Sequence, residues 1–383
     1  MGIQVFKPKF DVEDCLSEIR ECLEAGWPGI GFKTLQFEED WKKYTGHSYA
    51  YYTNSGTAAL HLAIHSLKML NGWENGDEVI STPFTFVSTN HAALYEGLKV
   101  CFADIDEFMC MDPKSLEERI TPKTRAVIFV GYGGRIGRLK EIINICKRND
   151  LKLILDAAHM SGTRVNGITP GTWDGVDVAT YSFHAVKNLP TGDSGMVCFR
   201  SAEADKIART FAWLGANRDT YSRNKDGKYS WKYNVECIGY KYSGNSVMAS
   251  LGIAQLKHLD EDNERRRQIA AIYDRELVNN DGITIVPTNH GNEANYHIYA
   301  VLTPYRDELL QYLAENGIGC SVHYTINTEY SMYEYARGTC PQAELASKTI
   351  LTLPMHMWLS DDDVVTVTKA INDFFTKRGT QIV

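Results

Sequence analysis

No Cys-X-X-Cys pair occurs in these 383 residues, and the nine cysteines are scattered, several inside apolar runs such as VCFADI and GMVCFR. Zinc ligation and a disulfide frame are disfavoured, and buried free thiols are expected. Basic charge is not in excess either: 40 Lys and Arg stand against 48 Asp and Glu, a formal charge of −8. That balance argues against a nucleic-acid partner held by a broad basic surface, while leaving room for a local basic site that takes a phosphorylated small molecule. No apolar stretch approaches the ~18 residues of a membrane helix. The N-terminal MGIQVFKPKFDVEDC has no basic region followed by an apolar core, and Phe6 stands where a myristoylation pattern wants Ser or Thr. A cytoplasmic protein is expected, with no membrane partner and no metal. Internal repeats and low-complexity linkers are missing too.

What is present is ordinary for a globular chain, 44% hydrophobic and 23% charged, and long enough for two domains. Between about residues 48 and 200, short apolar β-rich runs (YAYYTN, GDEVISTP, KVCFADI, RAVIFV, LKLILDAA, VDVATYSF, GMVCFR) alternate with helical patterns such as TAALHLAIHSLKML and LKEIINICKRN. Continuous apolar strands separated by helices predict an α/β domain with a mainly parallel sheet covered on both faces. From 246 the pattern SVMASLGIAQLKHLDEDNERRRQIAAIYDREL reads as one long helix, whose DEDNERRR run is a solvated face. After it come ANYHIYAVL, a helix DELLQYLAENG, a strand-like GCSVHY and a closing helix from Asp361 to Lys377 with Ser360 as N-cap. The expected division is a large domain over 1–245 and, over 246–383, a long connecting helix with a smaller α+β domain.

Chemistry concentrates in a few residues. LILDAAH places Asp156 at the C-terminal end of a buried strand, where open α/β sheets bind ligands, although an aspartate before two alanines also suits a helix cap. The next strand, DVATYSF, leads to Lys187 in a crowded, glycine-punctuated turn. A lone lysine is usually a surface group. Paired with an acid at the neighbouring strand end, it fits pyridoxal phosphate: the amine forms a Schiff base with the cofactor, and the carboxylate keeps the pyridine nitrogen protonated. TNSGTAAL supplies Ser55, Gly56 and Thr57 just before a strong helix, a capped helix start that also suits a phosphate. Ser182 offers another hydroxyl, and Phe86 is either core or a ring stacked on the pyridine. GYGGRIG (131–137) follows a strand like a dinucleotide loop, but the third glycine of G-x-G-x-x-G would fall at Ile136, so a nicotinamide site is disfavoured.

Together these residues resemble the DegT/DnrJ/EryC1/StrS family of sugar aminotransferases. The match runs through GWPGIGFKTLQFEEDW, YYTNSGTAALHLA, GDEVISTPFTFVST, LDAAHMSGT, SFHAVKNLPTGDSGMV, GYKYSGNSVMASLGIAQL, SVHYT and LTLPMHMWLSDDDV. The resemblance implies the fold-type I architecture of pyridoxal-phosphate enzymes, with Lys187 as the Schiff-base lysine and Asp156 against the pyridine nitrogen. It also implies that His159 contacts the phenolic oxygen, that Gly56, Thr57 and Ser182 bind the phosphate, and that Phe86 stacks. Trp27, His323 and Tyr324 fall in motifs that resemble sugar-site elements. Some relatives carry histidine at the lysine position and dehydrate sugars, so Lys187 argues for transamination; the neighbouring His184 is not that replacement. Where many members have an asparagine reaching across a dimer to the phosphate, this chain reads GYKYSGNS, leaving Ser243 or Asn245 for that role. GYGGRIG replaces a loop resembling GQPADM, which implies a modified wall near the site.

The expected reaction moves the amino group of L-glutamate to a keto carbon, C4 favoured over C3, of a nucleotide-linked 4-keto-6-deoxy sugar. Pyridoxal 5′-phosphate is the cofactor and pyridoxamine phosphate its amino-carrying form, in a homodimer with a shared site. Two other uses of the fold are a pyridoxal-phosphate dehydratase or lyase without net amino transfer, and a non-catalytic regulator that binds the cofactor as an effector.

Overall fold

The computed structural model describes residues 2–227, 231–289 and 293–380. Helices α1 (Val12–Glu24) and α2 (Phe32–Thr45) precede a β/α series: β1 (Tyr49–Thr53), α3 (Gly56–Asn71), β2 (Glu78–Ser81), α4 (Ser88–Tyr95), β3 (Lys99–Phe102), α5 (Pro113–Arg119), β4 (Thr124–Val130), α6 (Leu139–Arg148), β5 (Lys152–Asp156), β6 (Val178–Ser182), β7 (Gly195–Phe199) and α7 (Ala202–Ala212). After these come α8 (Ser246–Leu256), α9 (Leu259–Leu277), β8 (Thr284–Ile285), β9 (Tyr299–Leu302), α10 (Arg306–Glu315), α11 (Pro341–Thr349), β10 (Ile350–Leu353) and α12 (Asp361–Thr380).

The seven-stranded sheet has the order β1-β7-β6-β5-β4-β2-β3. β2 to β6 run parallel, and β7 is antiparallel to both its neighbours. The central strands are buried along almost their whole length, which is why they read as apolar runs without alternation. Ile128, Ile154 and Val197 have no exposed surface, and truncating either isoleucine to Ala should cost about 2–5 kcal/mol. The carboxyl ends of β4, β5 and β6 therefore open together on one edge of the sheet, the usual position of a ligand crevice.

A second core gathers Ile269, Tyr273, Val301, Leu309, Leu353 and Val367 from α9, β9, α10, β10 and α12 around the three-stranded antiparallel sheet β10-β9-β8. Ser360 caps α12, its Oγ accepting the Asp363 N–H at 3.1 Å. Two expectations are corrected. The long helix expected from 246 breaks at Lys257–His258, where Lys257 pairs with Glu18 and His258 with Asp14, pinning the junction to α1 while α9 departs toward the second core. GCSVHY forms a single bridge, Ser321 to Thr352, instead of a strand, because its remaining backbone turns the His323 and Tyr324 rings toward the crevice.

Candidate active site

β5 and β6 are hydrogen-bonded neighbours with Asp156 opposite Thr180, so the strand ends deliver Asp156 and the β6–β7 connection to one place. That connection is a tight double-back: Phe183 N–H donates to Ser194 O, Ala185 N–H to Gly192 O and Thr191 N–H to Phe183 O. Lys187 sits at its turn and projects into a cavity of about 370 Å³. The size suits a small-molecule site. Ser55, Gly56, Thr57, Phe86, Asp156, His159, Ser182, Lys187, His323 and Tyr324 all line it. Trp27, Ser243 and Asn245 do not line it within one protomer. Trp27 packs edge-on against Tyr221, Ser243 Oγ bonds Tyr51 Oη at 2.6 Å, and Asn245 Oδ1 caps α8 by accepting the Met248 N–H at 2.9 Å.

Asp156 is buried, and its two oxygens have different partners. Thr89 Oγ1 donates to Oδ2 at 2.7 Å and Ala158 N–H to Oδ1 at 3.1 Å. The local cap-like contact foreseen for Asp156 is real, yet no helix follows it. Burial raises the carboxyl above the ordinary range, opposed by these two hydrogen bonds and by the Lys187 charge. Lys187 lines the cavity and is half-buried as a residue. Burial holds its amine down at about 8, against the pull of Asp156. A large fraction is thus neutral near pH 8, as a nucleophile and proton acceptor requires.

His159 is locked from both sides. Gly133 N–H donates to Nδ1 at 3.1 Å, so the neutral ring carries its hydrogen on Nε2, which faces Tyr324 Oη at 2.9 Å. Burial, with the Lys187, His323 and Arg135 charges, keeps the imidazole well below its ordinary pKa. The glycine loop thus has a structural purpose. Gly133 and Gly134 adopt φ of +61° and +91°, and a Cβ on Gly134 would lie 1.7 Å from Asn295 Oδ1. Arg135 ties the loop to the segment after β8 through bonds from Nε to Pro287 O (2.8 Å) and Nη2 to Val286 O (3.0 Å).

At the other end of the cavity, Ser55 caps α3: its Oγ accepts the Ala58 N–H at 3.1 Å and its carbonyl the Ala59 N–H at 3.1 Å. The Gly56 and Thr57 amides have no protein acceptor among the described residues, so the helix start presents two donors to an anion. Ser182 closes beside them. A Cβ on Gly56 would lie 2.9 Å from Ser182 Cβ and 3.2 Å from its Oγ, so only glycine lets hydroxyl and helix start share this corner. Thr180 Oγ1, buried and bordering the cavity, has no partner among the described residues. An amine, a buried carboxyl at the far end and a hydroxyl-lined helix start fit a pyridine ring bearing an aldehyde and a phosphate. Phe86, 60% exposed, is cavity wall and not core, its ring centroid 6.3 Å from that of Tyr324.

Thr89, His297 and Phe6 also line the cavity and went unnoticed in the sequence. Thr89 was one hydroxyl among several in TPFTFVST, while His297 and Phe6 come from segments remote in the chain. Only spacing could have flagged Thr89, one turn after Thr85 at the start of a helix facing the sheet.

Fold and site together define a fold-type I transferase of the pyridoxal-phosphate class. Residues 10–372 match the model of the DegT/DnrJ/EryC1/StrS aminotransferase family, and the chain belongs to that family and is an aminotransferase. It is 34% identical over 391 residues to the dTDP-4-dehydro-2,3,6-trideoxy-D-glucose 4-aminotransferase of Saccharopolyspora spinosa, covering 98% of this chain and 99% of that one. Among solved structures, the aminotransferase TlmJ from Streptoalloteichus hindustanus superposes with a TM-score of 0.90 at 32% identity, over 98% of this chain and 100% of that one. The sugar aminotransferase Spr1654 of Streptococcus pneumoniae, solved in a PLP form, superposes at 0.88 with 25% identity, over 98% and 99%. A PMP form of the same protein is also known, which supports pyridoxal-phosphate dependence across the family. No helix among the described residues is long and apolar enough to cross a membrane.

Proposed function

We propose that this aminotransferase uses pyridoxal phosphate to move the amino group of L-glutamate to a keto carbon, C4 in preference to C3, of a nucleotide-linked 4-keto-6-deoxy sugar. The observation that carries the reading is the joint placement of Lys187, Asp156 and the Ser55–Thr57 helix start around one cavity. The Saccharopolyspora relative, named for a 4-amino transfer onto a dTDP sugar, supports both the nucleotide-sugar class and C4.

When bound, the cofactor supplies an electron sink and a temporary carrier for the amino group. The Gly56 and Thr57 amides and the Ser182 hydroxyl hold its phosphate. Asp156, its carboxylate oriented by Thr89, would face the cofactor's ring nitrogen and favour its protonated form. His159, whose Nε2–H lies beside Tyr324 Oη, would contact the cofactor's phenolic oxygen. Lys187 would hold the cofactor through its aldehyde carbon, and its amine, when free, would serve as the proton acceptor and donor beside the substrate carbon. An amine held near 8 is suited to both directions of that transfer.

A homodimer completes the site in this reading. Trp231, Tyr233, Val235, Ile238 and Tyr240 are exposed, Ile238 at 95%, in the segment leading to Ser243 and Asn245. So much apolar surface in one stretch favours burial against a second copy, which brings Ser243 or Asn245 to the partner's phosphate. His323, Tyr324 and Trp27 are assigned to the sugar nucleotide.

The test is incubation of the purified protein with L-glutamate and a panel of nucleotide-linked keto sugars. Formation of 2-oxoglutarate together with a 4-amino sugar, identified by mass and NMR, supports the proposal. Sugar turnover without 2-oxoglutarate would instead indicate a lyase or dehydratase.

A further inference from the structure

Behind Lys187 lie Asn188, Asn263, Asn295 and His297, respectively 5, 1, 0 and 2% exposed, none of which the reading above uses. Asn295 Nδ2 donates to the carbonyls of His159 (2.8 Å) and Ser161 (3.0 Å), and Asn263 Nδ2 to the Ser161 carbonyl at 3.1 Å. Asn263 Oδ1 is thereby left as an acceptor. Asn188 Nδ2 donates to it at 2.7 Å and to the Asn295 carbonyl at 2.9 Å. Since a backbone carbonyl only accepts, the Asn188 amide has one orientation, with Oδ1 toward His297 Nδ1 at 3.0 Å. Nδ1 must then carry the hydrogen. In a neutral ring Nε2 is left as a bare lone pair, and it faces Lys187 Nζ at 3.5 Å. Burial holds His297 well below its ordinary pKa, and the neighbouring Lys187, His159, Arg266 and His323 charges act the same way, so the ring is neutral.

We infer that His297 is a positioning residue for the Lys187 amine: the asparagine relay sets its tautomer, and its Nε2 accepts from Nζ and turns the amine toward the cavity. The inference rests on Lys187 being the cofactor-bearing amine. Among the described residues, the Lys187 charge interacts with Asp156, His159, His297 and His323, and His184 and Asp193 also border the cavity. His159 is committed to Gly133 and Tyr324, His323 Nδ1 bonds Thr352 Oγ1 at 3.0 Å, and among the described residues the ring nitrogen within hydrogen-bond distance of the amine is His297 Nε2. Phe6 stacks on the His297 ring, centroids 5.7 Å apart and planes within 3°, which limits its rotation.

The test is competitive acetylation of the cofactor-free protein across pH, read at Lys187 by mass spectrometry, in wild type, His297→Phe and His297→Gln. Because an acceptor favours the ammonium form, His297→Phe should lower the Lys187 midpoint by about one pH unit, and His297→Gln, whose Oε1 can accept, should recover at least half of that. An unchanged midpoint in His297→Phe, or equal shifts in both variants, overturns the inference. Should His297→Phe fail to fold, Asn188→Leu, which frees the tautomer without removing the ring, must lower the midpoint in the same direction; no shift there overturns it equally. If wild type takes up pyridoxal phosphate at Lys187 while the variants leave the midpoint unmoved, only the role of His297 falls. If wild type takes up none, the reading of Lys187 itself falls.

Discussion

Replacing Thr89 by Val exchanges one buried hydroxyl for a methyl of similar size and removes the 2.7 Å donor to Asp156 Oδ2. A hydrogen bond to an ionised group contributes about 1.5–3 kcal/mol, and one pKa unit corresponds to about 1.4 kcal/mol, so the already raised Asp156 carboxyl should climb by a further one to two units. The sign of the stability effect follows. An acid raised in the folded state binds more protons folded than unfolded, so its contribution is fully present below its unfolded value and is lost as pH rises through the folded one. Without cofactor, Thr89→Val should therefore show its smallest penalty at acid pH, where the carboxyl is protonated and the loss of the bond to Thr85 Oγ1 remains, and fall progressively further behind wild type as rising pH ionises the carboxyl. Thermal unfolding across that range, repeated in an Asp156→Asn background, reads the effect. In that background the pH-dependent part of the penalty should vanish. A penalty that is the same at both ends of the range, or that survives Asp156→Asn unchanged, would show that Thr89 only packs and that the carboxylate relay is wrong.

Three further outcomes follow from the geometry. Gly134→Ala forces a Cβ to 1.7 Å from Asn295 Oδ1 at a φ of +91°, so it should destabilise by about 3 kcal/mol or more in denaturant titration and disorder the support of His159. Ser55→Ala loses the cap on α3 and should cost about 1 kcal/mol of stability, whereas Ser182→Ala, which leaves the Gly56 and Thr57 amides in place and removes the hydroxyl beside them, should weaken cofactor binding in a fluorescence titration; unchanged binding would dissociate this corner of the cavity from the phosphate. Tyr324→Phe removes the partner of His159 Nε2 and should cost about 1 kcal/mol, visible as a shift in the pH dependence of the bound cofactor's absorbance.

The sheet was legible because its strands are apolar on both faces, so LKLILDAA and RAVIFV could hardly be anything else. Lys187, Asp156 and the Ser55–Thr57 turn were legible because each sits at the end of such a strand or the start of the helix after it, where local order settles the position. What stayed hidden depends on distance in the chain. Asn188, Asn263, Asn295 and His297 meet across more than 100 residues of sequence, as in the Asn188–His297 bond, and Asn263 lies in the DEDNERRR run expected as a solvated face, in which Asp262, Asn263 and Arg266 are instead buried. The glycine loop was read as a failed dinucleotide motif and as a modified wall near the site, but its contact, a backbone N–H aimed at His159, is written in φ angles and not in side chains. The helix break at 257–258 was missed for a related reason: the pairs that pin it, Lys257–Glu18 and His258–Asp14, join it to the far N-terminus.

The most direct measurement reduces the pyridoxal-phosphate-loaded protein with borohydride, digests it, and locates the added pyridoxyl phosphate mass by tandem mass spectrometry. Modification confined to Lys187, and lost when L-glutamate is added before reduction, is expected. Modification of another lysine, or none at all in protein that retains its fold, would contradict the assignment of Lys187 as the residue that carries the cofactor.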